Sequence, residues 1–218
     1  MRRSLTDHPR QGRGTLLLAD ISGYTAFLQA VAEAHAADLA AGTFVPEAYP
    51  LLTSLLDGIV ERVCPPFVLT EVEGDAVFAF AAEDDLELRG PSVLARLAGC
   101  YEAYRSSLEA AQSLMFCTCD ACSSVGGLEL KFVIHHGDYV VQSIAGRQRV
   151  LGPDVTAAHL LLKNHVRDII GRLAYVLLTA SAATHLEVPL DHAHVITEEY
   201  EHYPTIHGYV LTLPPDQA

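Results

Sequence analysis

Two aspartates stand where carboxylates could hold a metal ion. Asp20 ends a predicted buried strand over residues 15–20, and Asp75 lies at the Gly-Asp tip of a predicted hairpin. If that strand lies beside the hairpin, both carboxylates reach one edge of the sheet. Such a pair suits Mg²⁺, which takes one or two protein carboxylates together with phosphate oxygens. Each aspartate alone could instead be a helix cap or an ordinary turn residue.

The segment directly after Asp20 could bind phosphate. It begins a predicted helix, with Ser22 expected as the N-cap. The first N–H groups of a helix have no partner within the helix, and the helix dipole adds partial positive charge there. Phosphate oxygens that a metal ion neutralises could therefore bind at the five residues of this turn: Ile21, Ser22, Gly23, Tyr24 and Thr25.

Three cysteines form a second cluster with metal-binding spacing. Cys117, Cys119 and Cys122 give Cys-x-Cys-x-x-Cys in a loop predicted at about 115–127. Thiolates at this spacing can bind one soft or borderline ion, and structural zinc takes four ligands. Three free thiols or a redox-sensing cluster are the alternatives. A fourth ligand could be Cys64, Cys100, a histidine such as His135 or His136, or a residue supplied by a partner subunit.

Composition restricts the class of protein. The chain has 218 residues, half of them apolar, and a formal net charge of −13. Four arginines and one aspartate lie within residues 1–13, which we expect to be a flexible basic tail before a single domain at 14–213. The acidic body would repel nucleic acid, and no apolar run is long enough to span a membrane. With no export signal and an odd number of cysteines, the sequence predicts a cytoplasmic protein without a disulfide framework.

The elements that must position these residues follow from periodicity and from Gly and Pro breaks. Their order fits an α+β sandwich with a central hairpin better than a doubly wound parallel sheet. Strands are predicted at 15–20, in both arms of the hairpin 67–80, at 128–137, at 138–146, at 172–180, and near 193–198 and 207–213. Helices are predicted at 22–40, 48–63, 90–112 and 153–167, and a short one after residue 180.

Four segments together resemble the class III nucleotidyl cyclases. LLLADISGYTAFL resembles their first strand and helix, and LTEVEGDAVFAF resembles their metal-binding hairpin. LKFVIHHGDYVVQSIAG is similar to the next strand pair, and VLGPDVTAAHLLLKN to the strand-to-helix step. Order and spacing match over about 15–180, and the whole is most similar to a little-studied, divergent bacterial branch that carries a cysteine cluster. The resemblance implies a ferredoxin-like α/β sandwich, with a mainly antiparallel sheet and helices on one face, and a head-to-tail homodimer with sites at the interface.

The resemblance also implies roles for single residues. Asp20 and Asp75 match the family's two metal-binding aspartates, which take Mg²⁺ or Mn²⁺, and 21–25 matches the segment whose backbone holds the triphosphate. Glu71 matches the base-selecting position. A glutamate there resembles the guanine-reading form, since a carboxylate accepts from the guanine N1–H and 2-amino groups. The alternative is an ordinary exposed strand residue.

The chain departs from the family where transition-state charge is stabilised. The family's asparagine and arginine are replaced by Thr156 and Leu160, and leucine cannot stabilise a charged phosphoryl group. Arg149 stands at the second base-reading position, where the family has aspartate or cysteine. Lys163 and Asn164 lie a turn beyond Leu160 and could substitute in catalysis. They could equally be an ordinary helix end, where lysine favours the dipole.

The sequence therefore predicts a divergent cyclase-like protein that binds a divalent metal and a nucleoside triphosphate, ATP or GTP. Its cyclase activity is expected to be weak or absent. One alternative is an active purine nucleotide cyclase that forms a 3′,5′-cyclic nucleotide. Another is a zinc-stabilised scaffold or signalling dimer with a vestigial nucleotide site.

Overall fold

The computed structural model describes residues 8–214. Short 3-10 turns occur at Leu86–Leu88, Ser124–Gly127 and Leu161–Lys163. The strands are β1 (Arg10–Ser22), β2 (Val68–Glu73), β3 (Ala76–Ala82), β4 (Glu129–Ile144), β5 (Arg147–Leu151), β6 (Tyr175–Thr179), β7 (His194–Glu198) and β8 (Ile206–Thr212). The helices are α1 (Tyr24–Ala34), α2 (Ala36–Ala41), α3 (Ala48–Val63), α4 (Pro91–Leu114), α5 (Asp120–Ser123), α6 (Pro153–Leu160), α7 (Val166–Ile170) and α8 (Ala180–His185).

The sheet is mainly antiparallel, as the sequence predicted. Its order is β2-β3-β1-β4-β6-β8-β7, and β5 pairs with β4 outside that path. Strand β1 lies in the middle and pairs antiparallel with both β3 and β4, whereas β4 and β6 run parallel. The first strand therefore lies directly beside the hairpin β2–β3, which is the arrangement needed to bring Asp20 and Asp75 to one edge.

Both faces of β1 are covered. Leu17, Ala19 and Ile21 are fully buried in the larger core, which the long helices α3 and α4 cover together with α1 and α8. Leu16 and Leu18 point the other way into a smaller core beneath α6 and α7. The long helices lie on one face, as expected, and the short segment from α6 to α7 adds cover to the second face.

Several predicted boundaries are corrected. Strand β1 begins at Arg10, so the last four residues of the predicted 1–13 tail belong to the sheet, while residues 1–7 lie outside the described part. The two strands predicted at 128–137 and 138–146 form one continuous strand, β4. The helix predicted at 153–167 is interrupted by a 3-10 turn between α6 and α7.

The helix predicted at 22–40 is also divided in two. Its backbone leaves helical geometry at His35, where φ is −114° and ψ is 23°, so that α1 ends and α2 begins at this residue. The N-cap of α1 is Gly23, not Ser22, and Gly23 adopts the left-handed φ of 90° that favours glycine. Within residues 8–214, no helix combines the length and apolarity that crossing a membrane requires.

Candidate metal and nucleotide site

Asp20 and Asp75 meet at the end of the β1–β3 pair. In the register of these strands, Asp20 lies opposite Ala76, the residue that follows Asp75. The backbone carbonyl of Asp75 accepts a hydrogen bond from the N–H of Ile21 at 3.2 Å. Burial, and then the negative charge of Asp20, raise the pKa of the Asp75 carboxyl. The two carboxylates therefore form an acidic pair in a partly desolvated setting.

A lysine that the sequence analysis did not single out neutralises part of this charge. The Nζ atom of Lys131 lies 2.9 Å from Oδ2 of Asp20, and it donates to the carbonyl of Leu162 at 3.2 Å. Both charged side chains are largely buried, at 15% and 13% exposed. Lys131 stands directly opposite Asp20 in the antiparallel β1–β4 pair, so this partner depends on strand register. Within this group, one ammonium thus faces two carboxylates.

The turn after Asp20 presents backbone N–H groups. Helix α1 has no side-chain hydrogen bond at its N-cap, and its first backbone bond joins the N–H of Phe27 to the carbonyl of Gly23. Ile21 is fully buried and its N–H already donates to the carbonyl of Asp75, whereas Gly23 and Thr25 are exposed. Burial, and then the charge of Asp75, raise the pKa of the Tyr24 hydroxyl. The N-terminal turn of α1 thus lies beside the acidic pair with its donors free of a side-chain cap.

Glu71 has a partner in the same chain. Its carboxylate forms an ion pair with the guanidinium of Arg149, and both side chains are mostly buried. Glu71 lies on β2 next to a register irregularity in the β2–β3 pair, and Arg149 lies on β5 opposite Gln142. The two positions expected to read a base are therefore occupied by a carboxylate and a cation that neutralise each other.

The residues at the helix after β5 have mostly local contacts. The hydroxyl of Thr156 donates to the carbonyl of Gly152 at 3.2 Å, and Lys163 is exposed. The Asn164 amide donates to the carbonyl of Leu161 at 2.7 Å. Its oxygen accepts at 3.0 Å from two donors, the N–H of Val166 and the hydroxyl of Tyr175. Asn164 therefore holds the turn between α6 and α7 with its whole amide.

The three clustered cysteines converge on a histidine that the sequence analysis missed. The Nε2 atom of His35 lies 3.5 Å from Sγ of Cys117, 3.4 Å from Sγ of Cys119 and 3.5 Å from Sγ of Cys122. All five cysteines of the chain are free thiols. The backbone N–H of Cys122, which donates to Sγ of Cys119, lowers the pKa of the Cys119 thiol to about 7. The only sequence signal for His35 is its place within a predicted helix, which says nothing about the cysteines.

The fourth-ligand candidates chosen from the sequence were wrong within this chain. Cys100 is buried in the larger core, where desolvation raises its thiol pKa to about 12, and Cys64 is half-buried at the end of α3. Nδ1 of His135 lies 3.0 Å from the hydroxyl of Thr179. Neither cysteine and neither candidate histidine belongs to the group around His35.

His136 belongs to a different group. Its ring stacks on that of His185 with the centroids 3.7 Å apart, and the Glu83 carboxylate lies 4.0 Å from its Nε2 atom. These three side chains could hold an ion by distance alone. However, Nε of Arg13 donates to Nε2 of His136 at 3.3 Å and lies 3.7 Å from Glu83. A guanidinium thus already supplies the positive charge there. His135 and His136 are consecutive on β4 and therefore face opposite sides of the sheet.

Comparison with known proteins places the sequence in a family. The family described as "Protein of unknown function (DUF2652)" matches residues 52–169, which is more than half of the chain. The chain belongs to DUF2652. A relative from Mycobacterium tuberculosis, "Uncharacterized protein Rv2561/Rv2562", is 27% identical over 115 residues. That alignment covers 53% of this DUF2652 chain and 52% of the relative, so the chain spans about half the length of the curated relative it matches.

Solved structures of nucleotide cyclases share the fold. The adenylyl cyclase CyaB from P. aeruginosa superposes with a TM-score of 0.65 at 13% identity, covering 97% of this chain and 100% of that one. The guanylyl cyclase Cya2 gives 0.60 at 15% identity, covering 94% and 92%. The guanylate cyclase domain of RhGC from Catenaria anguillulae, in complex with GTP, gives 0.56 at 12% identity, covering 92% and 97%. These similarities establish that the DUF2652 chain has the cyclase-domain fold.

Proposed function

We propose that the chain is a divergent cyclase-like protein that binds a divalent metal ion and a nucleoside triphosphate, with weak or absent cyclase activity. The observation that carries this proposal is the pairing of Asp20 with Asp75 beside the uncapped first turn of α1. Carboxylate oxygens would hold Mg²⁺ or Mn²⁺, and of the expected segment 21–25 the part after Ile21 would hold the phosphates through backbone N–H groups, since the Ile21 N–H already donates to Asp75.

The donor set fits a hard divalent ion. Both side chains offer oxygen ligands. Burial, and then the nearby charge of Asp20, raise the pKa of the Asp75 carboxyl, so a bound cation would reduce the repulsion between the two carboxylates. Lys131 compensates one charge at Asp20, which leaves the second carboxylate for a cation. When bound, a divalent ion would supply electrostatic stabilisation of phosphate oxygens.

Two departures argue for weak turnover. Leu160 offers no charge where the related enzymes need a cation, and Thr156 hydrogen-bonds its own helix. Lys163 is exposed and could approach a triphosphate, so we keep it as the candidate catalytic cation; Asn164 is a weaker candidate, because its amide is committed to local hydrogen bonds. The Glu71–Arg149 pair argues against tight reading of guanine, so ATP and GTP are both candidate ligands.

We also propose that the protein acts as a homodimer in the cytoplasm. Strand β2 is an edge strand of the sheet, and three of its apolar side chains are exposed: Val68, Leu69 and Val72. An edge of this kind is suited to cover by a second subunit. The free thiols and a nucleoside triphosphate ligand both suit a reducing compartment.

One experiment separates the functions. The purified full chain is incubated with Mn²⁺ and ATP or GTP, and both cyclic product and thermal unfolding are measured, with Asp20→Ala as the inactive variant and Asp57→Asn as an exposed control. Nucleotide-dependent stabilisation that Asp20→Ala abolishes, without product, supports the proposal. Product that depends on Asp20 shows an active cyclase instead.

The absence of both effects would favour the second candidate, a zinc-stabilised scaffold or signalling dimer. Two observations favour this candidate. One imidazole and three thiols lie close enough to hold a metal ion, and Asp20 of the acidic pair already forms an ion pair with Lys131. The two candidates therefore predict different results: added nucleotide raises the unfolding temperature of a nucleotide-binding protein, whereas only the zinc content affects the stability of a scaffold.

A further inference from the structure

Four side chains form a closed group at the corner between α1 and α2. His35 lies in that corner, and the three cysteines lie in and beside α5, in the connection from α4 to β4. Besides the three contacts of His35 Nε2, the Sγ atoms of Cys117 and Cys119 lie 3.5 Å apart. One ligand atom from each of the four residues lies within 4.8 Å of every other.

These separations match the edges of a zinc tetrahedron. With Zn–S at about 2.3 Å and Zn–N at about 2.0–2.1 Å, tetrahedral angles put sulfur and nitrogen ligands about 3.6 Å apart and two sulfurs about 3.8 Å apart. The distances from His35 to the three sulfurs, 3.4–3.5 Å, are close to the first value. The group is thus already arranged as a four-ligand site of the Cys₃His type.

Hydrogen bonding alone does not explain this arrangement. A neutral imidazole carries one acceptor nitrogen with one lone pair in the ring plane. Three thiols cannot all donate to Nε2 of His35 with good geometry, yet all three sulfurs lie within 3.5 Å of it. A central cation that the nitrogen and three thiolates share accounts for all four positions at once.

The surroundings of the group are those of an ordered metal site. Oδ2 of Asp38 lies 3.9 Å from Nδ1 of His35, so a carboxylate lies near the ring nitrogen that does not contact the sulfurs, although beyond hydrogen-bond distance. The N–H of Cys122 donates to Sγ of Cys119 at 3.4 Å. At the start of the loop, Oε2 of Glu47 accepts from the N–H groups of Phe116 at 2.9 Å and Cys117 at 3.2 Å. These contacts hold the ligands in place from both sides.

We propose that His35, Cys117, Cys119 and Cys122 bind one structural zinc ion. Four protein ligands leave no open coordination position, so the ion has a structural and not a catalytic role. Its effect is to fix the C-terminal end of α1 to the loop between α4 and β4, across more than 80 residues of sequence. The zinc site shares no residue with the acidic pair of Asp20 and Asp75. The zinc proposal therefore does not depend on whether a nucleotide binds.

The test is metal analysis of the full chain purified without chelator and re-equilibrated with zinc. We expect about one zinc per chain in the wild type. His35→Gln and Cys119→Ser should weaken zinc binding by at least about 10–100-fold in a chelator competition, the loss that outer-shell substitutions already cause. Two matched controls, His194→Gln at an exposed position of β7 and Cys64→Ser outside the cluster, should keep wild-type affinity.

Two further measurements cover variants that fail to fold. In the wild type, chelation should lower the unfolding temperature, and added zinc should restore it. Replacement of zinc by Co²⁺ should give thiolate-to-metal absorption in the wild type, and H35Q should alter that absorption.

The proposal is overturned if the re-equilibrated wild type holds no zinc, or if chelation leaves its unfolding temperature unchanged. Wild-type zinc affinity in H35Q would remove His35 from the site. Asp20→Ala should leave the zinc content unchanged, so a failed nucleotide site and a failed zinc site give different results.

Discussion

The ammonium of Lys131 lies 2.9 Å from the carboxylate of Asp20, one of the two carboxylates that we propose bind a metal ion. Asp75 adds a second carboxylate beside them, and burial, and then the charge of Asp20, raise the pKa of that carboxyl. The ion pair offsets one negative charge of the acidic pair. If a metal ion binds there as we propose, Lys131 should lower its affinity by competing for the carboxylate of Asp20.

Removing that lysine should destabilise the chain and strengthen its metal response. Lys131→Met leaves two carboxylates without their cation, and breaking a largely buried ion pair costs about 3–5 kcal/mol of unfolding free energy. Mn²⁺ should then stabilise the variant more than the wild type, which thermal unfolding with and without Mn²⁺ measures. Lys131→Arg, which keeps the charge, is the control. Equal stabilisation by Mn²⁺ in the Lys131→Met variant and in the wild type would contradict the role given to Lys131.

The ionised carboxylate of Asp75 should lower the stability of the folded chain at neutral pH. Its folded pKa is raised above the usual 3.8, so the folded chain holds the proton more tightly than the unfolded chain. The folded state is therefore favoured at low pH, and that advantage is lost as the pH rises from the unfolded pKa through the folded pKa. Asp75→Asn should raise the unfolding temperature at pH 7 without metal and should lose the response to Mn²⁺.

The control for Asp75 is Asp57→Asn, at an exposed position of α3. It should change neither the stability at pH 7 nor the Mn²⁺ response. An Asp75→Asn variant that is less stable than the wild type at pH 7 without metal would show that the carboxylate is fully compensated.

Acid should destabilise the chain through His136. Burial, and then the charges of His185 and Arg13, lower its pKa to about 4 from the usual 6.5. The neutral ring thus stabilises the fold fully above the unfolded pKa, and that stabilisation is lost as the pH falls from about 6.5 towards 4. Free energies of unfolding across this window should decline less steeply in His136→Phe, which keeps a ring to stack on His185. The exposed substitution His194→Gln should keep the wild-type slope, and an unchanged slope in the Phe variant would refute the assignment.

Releasing Glu71 should improve guanine recognition. Arg149 neutralises the Glu71 carboxylate, so Arg149→Ser leaves that carboxylate free to accept from the guanine N1–H and 2-amino groups. Hydrogen bonds to a charged group contribute about 1.5–3 kcal/mol, which corresponds to an affinity gain of about tenfold or more for GTP over ATP. Calorimetric titration with both nucleotides measures this ratio. Arg147→Ser, at an exposed position of the same strand, is the matched control, and a ratio unchanged from the wild type would count against Glu71 as a base reader.

The sequence alone predicted most of the strands and helices and some of the residues of each candidate site. The strand before Asp20 and the turn at Asp75 could be predicted, because strand periodicity and turn preference depend only on neighbouring residues in the sequence. The order of these elements predicted an α+β sandwich, the resemblance of four segments to the class III cyclases implied a cyclase-like fold, and the structural neighbours confirm that fold. The spacing of Cys117, Cys119 and Cys122 likewise needs only a short loop.

Only the tertiary structure showed which side chains contact Asp20, Glu71 and the three clustered cysteines. Lys131 reaches Asp20 through the register of β1 and β4, and Arg149 reaches Glu71 across two strands that are far apart in sequence. His35 meets the cysteines because the helix predicted at 22–40 breaks at that residue, although its periodicity favoured continuation. Residues more than 80 positions apart contact each other only when the packing of the helices on the sheet brings them together, and neither spacing nor periodicity encodes that packing.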